Sequence, residues 1–91
     1  MNAITLTDSV TLPDDLRDIE LTVRKDGVRV VLEDRHSPGY DPVVVSLSWS
    51  QICDVELLSK RFEFETVATF RVLVEMLGKV HNNRHIYEAL T

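Results

Sequence analysis

One cysteine, Cys53, is all the chain has, and a single thiol closes no disulfide within it. Small secreted domains usually carry several, so this scarcity points to a reducing, cytoplasmic setting. No stretch approaches the roughly 18 apolar residues in a row that a membrane-spanning helix needs, and no membrane is expected. The opening MNAITLTDSV has neither the basic segment nor the apolar block of a secretory signal. A basic excess is missing too, because the net charge is −5. Phosphate neutralisation supplies most nucleic-acid affinity, so this balance disfavours such a ligand. Walker, GxGxxG and GxSxG loops are absent. The sequence therefore gives no reason to expect an enzyme or a cofactor.

What is present is ordinary globular material. At 44% hydrophobic and 27% charged residues the composition suits a packed core. Ninety-one residues make a single domain, 1–91, since domains run to about 100–150 residues. A chain this short buries only roughly 60% of its unfolded surface, and association is a common remedy. Much of the acidity lies early, at Asp8, Asp14, Asp15, Asp18 and Glu20, with Arg17 the one base among them.

The first half alternates with a strand period. Ile4 and Leu6 interleave with threonines, the pattern breaks at Asp8-Ser9, and Val10 and Leu12 resume it. The segment PDD at 13–15 reads as a turn or as one helical turn, since Pro13 suits a first helical position. Residues 19–33, IELTVRKDGVRVVLE, read as a hairpin. Asp26-Gly27 suits the centre of a type I′ turn, where both residues take positive φ. That turn pairs Val23 with Val30 and Leu21 with Leu32, giving one apolar face. It also sets Arg24 against Arg29 and Glu20 against Glu33, which is unfavourable across a strand pair. Arg24, Lys25 and Arg29 then form a basic hairpin tip, a candidate contact for an anionic partner. The loop at 34–42 adds His36 and a candidate interface residue, Tyr40. VVVSLS at 43–48 is a further strand.

From about residue 48 the period becomes helical. Ser48 and Gln51 have capping-box spacing, predicting a helix over 49–61 with Ile52, Cys53, Val55, Leu57, Leu58 and Phe62 on its apolar side. There Cys53 would be inert packing. Thr66 is placed to cap a second helix, VATFRVLVEMLGKV. The order of a hairpin, a strand ending in SLSWSQI and a helix, over residues 19–58, is similar to that of transcriptional coactivators that bind single-stranded DNA on a curved sheet. Such binding uses a basic groove and stacking aromatics, which this stretch lacks. The resemblance implies an order of elements rather than a ligand.

The second helix has a polar stripe of Arg71, Glu75 and Lys79, and apolar residues fill most of its remaining circumference. A helix on one sheet needs an apolar arc of about 100° or somewhat more, and this arc is roughly twice as wide. Either the first helix or a second copy of the chain packed on Phe70, Leu73, Val74 and Leu77 would cover the surplus, and a homodimer is the expectation. At the end of the chain, His81, His85 and Glu88 would share a face if residues 80–90 were one helix. However, Asn82-Asn83 signals a helix end. That spacing is a remote metal candidate and no metal is expected; Ile86, Tyr87 and Leu90 are expected to dock on the core instead.

Together these features predict an α+β domain: an antiparallel sheet of three or four strands, hairpin 19–33 plus strand 43–48, followed by two or three helices packed on one face. The function expected is that of a small acidic, non-catalytic interaction protein, a regulator or inhibitor that binds a partner protein. Phage and mobile-element regulators offer an analogy of composition. The alternative is a nucleic-acid-binding module using the hairpin tip and outer sheet face, with Arg24, Lys25 and Arg29 and with Arg35 as a further candidate.

Overall fold

In the computed structural model, residues 2–12, 15–35, 39 and 41–90 are described. Four strands, β1 (Ile4–Leu12), β2 (Asp15–Arg24), β3 (Gly27–Asp34) and β4 (Val43–Ser48), form one antiparallel sheet in sequence order. Three helices follow: α1 (Val55–Arg61), α2 (Val67–Asn82) and α3 (Arg84–Glu88). The class is α+β, as the patterning predicts. Among the described residues no helix is long and apolar enough to cross a membrane.

The register sorts side chains into two faces. Ile19, Leu21 and Val23 of β2 oppose Leu32, Val30 and Val28 of β3, and all six are buried. Leu6 opposes Leu21, and Val45 opposes Val30. Onto this face pack Ile52, Leu58 and Phe62, together with Leu73, Leu77 and Val80 of α2. α2 lies across β1 and β2, and α3 touches β2. The opposite face carries Thr5, Thr22, Arg29 and Ser46 in one cross-strand row. It faces solvent.

Three expectations about the strands need correction. β1 runs unbroken through Asp8, because Ile4, Leu6, Asp8, Val10 and Leu12 stay in phase; a charge merely occupies one inward position. The hairpin loop is Lys25-Asp26, closed by the pair Arg24 and Gly27, so the register is shifted by two residues from the expected one. An even shift keeps every side chain on its face. Arg29 now opposes Thr22 and Glu20 opposes Val31, which removes the arginine pair and the glutamate pair. Asp18 and Glu33 become the opposed acids, with Arg35 held 3.2 Å from Asp18. The turn is not type I′, since no non-glycine residue among those described has positive φ.

Gly27 decides that register. A Cβ there would land on the carbonyl oxygen of Leu47 in β4, so glycine is required where the two strands approach. Val43–Ser48 forms the strand that alternation predicts.

The helix expected from residue 49 begins six residues later. Gln51 does reach back to Ser48: its Oε1 accepts from the Ser48 amide at 2.9 Å, and its own N–H donates to the Ser48 carbonyl. These bonds close a turn instead of starting a helix. Asp54 is the true N-cap, accepting from the Leu57 amide. Cys53 is consequently exposed in that turn, not packed on a helix face. α2 starts where Thr66 caps it, its hydroxyl accepting from the Thr69 amide.

Candidate functional site

Of the acids near the N-terminus, Asp15 helps to build a corner between β2 and α2. Asp15 accepts a hydrogen bond from the Thr66 hydroxyl and another, at 3.3 Å, from the fully buried Thr69 hydroxyl. A carboxylate is thereby held at the N-terminus of α2, where the helix dipole favours negative charge. Two residues on, Arg17 pairs with Glu65, its Nε 3.0 Å from Oε1. Both side chains are largely buried, a setting in which losing either partner is costly. β2 therefore grips residues 65 and 66 directly.

Phe64 lies next to this grip. Its neighbour Phe62 is buried in the core, yet Phe64 is 93% exposed. Val67 on the first turn of α2 is 75% exposed. Beside them runs a shallow groove of about 200 Å³ lined by Ser59, Phe62, Glu63, Glu65, Thr66, Val67 and Phe70. Isolated exposed apolar residues are common. Here an aromatic ring, a valine and an apolar groove share one corner, and the turn that presents the ring is held by the buried Phe62 before it and by the clamped Glu65 and Thr66 after it. Residues 62–66, FEFET, fit a short strand and a bridge between two helices equally well, so the sequence does not single out Phe64. Only the two clamps show which ring goes inward.

The expected basic tip is a second surface. Arg24, Lys25 and Arg29 are exposed. A groove of about 390 Å³ at this end of the sheet is lined by Thr22, Arg24, Asp26, Gly27, Val28, Arg29, Ser46, Leu47 and Ser48. Arg35 is spent elsewhere, bound to Asp18 and donating to the Val10 carbonyl. Toward the far end the same sheet face carries Asp18, Glu20 and Glu33, so the face is basic at one end and acidic at the other. Tyr40, His36, Pro13 and Asp14 fall outside the described residues.

The proposed self-association face divides. Leu73 and Leu77 are fully buried against the chain's own sheet and have no surface left for a second copy. Phe70 also packs on the core, half-buried, and Val74 is half-buried. The wide apolar arc of α2 is thus largely used internally.

At the C-terminal end, α2 stops at Asn82, whose successor Asn83 caps it by donating to the Lys79 carbonyl. His81 and His85 therefore belong to different helices, and Glu88 is paired with Arg84. Among the described residues no cluster of three or more His, Cys, Asp or Glu is arranged to hold a metal ion. α3 docks through Tyr87, which stacks on Trp49 at 6.3 Å, and through Arg84, 5.3 Å above the same indole. The Trp49 N–H donates to the Lys25 carbonyl at 2.7 Å, tying the hairpin tip to this stack. Ile86, expected on the core, is exposed.

Comparison of the chain with protein-family models, with curated proteins and with solved structures finds no match. The surfaces themselves carry the functional reading.

Proposed function

We propose that this chain is a non-catalytic binding protein that acts by seating Phe64 in an apolar pocket on a partner protein. The observation that carries this reading is the presentation of Phe64, a nearly naked ring on a turn anchored by Arg17–Glu65 and Asp15–Thr66. Aromatic anchors of this kind dominate binding energy at protein interfaces. A turn that is already ordered loses little entropy on docking. Val67 and Phe70 extend the contact. The exposed Glu63, with the chain's net charge of −5, favours a pocket with a basic rim. Regulation or inhibition would follow from covering the partner's surface.

Capture from a native lysate, run in parallel with wild type and Phe64→Ala, tests this. A protein retained by wild type and lost with the variant supports it. Equal recovery with both overturns it. Because Phe64 contributes almost no burial, the variant's stability should change by less than about 0.5 kcal/mol, so lost binding cannot be blamed on unfolding.

A second reading rests on the outer-face groove, where Arg24 and Arg29 form no ion pair among the described residues. With the hydroxyls of Thr22, Ser46 and Ser48 they would take a nucleic-acid phosphate. Oligonucleotide binding that weakens with salt and disappears in Arg24→Ala/Arg29→Ala supports this alternative. No binding at low salt ends it.

A further inference from the structure

We infer that β4 is a self-pairing edge, and that two copies of this chain join through it, antiparallel about a two-fold axis at Val45, into one eight-stranded sheet. Ser48 fixes the phase of the strand. Its N–H and C=O are both taken by Gln51, so they point away from β3. Backbone groups alternate along a strand; those of Ser46 and Val44 therefore also point away from β3. Among the described residues no hydrogen bond from another element reaches either one. The open edge consists of two donors and two acceptors, placed symmetrically about Val45.

Symmetry then selects the register. Pairing β4 with its own copy about Val45 sets Val44 against Ser46 of the second copy, and Ser46 against its Val44. Each pair exchanges two hydrogen bonds, and all four groups of both copies are satisfied. Centring the axis on Val44 would spend a position on Pro42, which has no N–H. Centring it on Ser46 would demand the Ser48 groups that Gln51 already holds. The same register keeps faces matched: Val43 opposes Leu47 of the second copy, and Val45 opposes Val45. Val43 and Val44, now 36% and 45% exposed, would lose much of that exposure. The strand has no charge to repel its own copy.

The assembly also closes. Pairing through β4 leaves the two β1 strands as the outer edges, and each is blunted. Asp8 sits opposite Ile19, on the inner face at the middle of β1, and accepts from the Ser9 amide at 2.8 Å. An inward-pointing charge is a known defence of edge strands. Growth stops at two chains. This surface is separate from Phe64, so the inference stands independently of the proposed partner.

Sedimentation from micromolar to near-millimolar concentration, combined with crosslinking, tests it. Six residues of strand cover less than the roughly 1,200 Å² at the lower end of stable interfaces, so a reversible, concentration-dependent dimer is expected. In a Cys53→Ser background, Val45→Cys should form a 45–45 disulfide under mild oxidation. The expected Cα separation of a non-hydrogen-bonded pair, about 4.5 Å, lies within the range disulfides accept. Val67→Cys in the same background, although more exposed, should stay monomeric. Ser46→Pro removes an outward N–H and should abolish the dimer while preserving the fold. Sedimentation as a monomer throughout, or no more crosslinking at 45 than at 67, overturns the inference.

Discussion

The two edges of this sheet are built on opposite plans. β1 is nine residues long and β4 is six, and the longer one is the guarded one. Along β1 an inward-phase Asp8 holds the Ser9 amide. Along β4 every side chain is Val, Ser or Leu, and only its last residue is capped, by Gln51. A neutral, apolar edge with free backbone groups is a template for another strand. On this reading one polar residue in the right phase, more than strand length, separates a closed edge from an open one.

The largest effect expected on that contrast comes from Val45→Pro. Val45 faces β3 by the same alternation, so this proline removes a ladder bond inside the sheet and leaves a carbonyl of β3 unpaired, which should cost roughly 2–3 kcal/mol in urea unfolding. Ser46→Pro, one residue on, should cost far less. Comparable losses for both would mean the alternation has been assigned wrongly. Next comes Gly27→Ala, whose methyl group meets the Leu47 carbonyl. Stability should fall by about 2 kcal/mol, and hydrogen exchange should show β4 amides losing protection before those of β1. Arg17→Ala leaves Glu65 largely buried without its partner. A loss of roughly 1–2 kcal/mol is expected, together with weaker capture of any Phe64-dependent partner. Asp8→Val should be the gentlest, within about 0.5 kcal/mol. It makes β1 resemble β4, and light scattering should then report species larger than a dimer.

Much of the sheet was legible because a period of two assigns faces directly. Leu21, Val23, Val30 and Leu32 lie inward as their alternation requires. The same period cannot distinguish a register from one shifted by two residues, so Asp26-Gly27 suggested the wrong turn. Only the approach of β4 to Gly27 resolves it. In the helical half, Thr66 was readable as a cap because its bond is local. The corner at Phe64 was not readable, since Asp15 and Arg17 meet Thr66 and Glu65 some fifty positions away in the chain. The histidine pair failed as a site for a local reason: Asn83 ends the helix between them.

The most direct test of the open edge is hydrogen exchange at the Val44 and Ser46 amides, measured in dilute and in concentrated protein. The account predicts rapid exchange at both when dilute and marked protection at both when concentrated, with the Val43 and Val45 amides protected throughout. Exchange at Val44 and Ser46 that is the same at every concentration would contradict it.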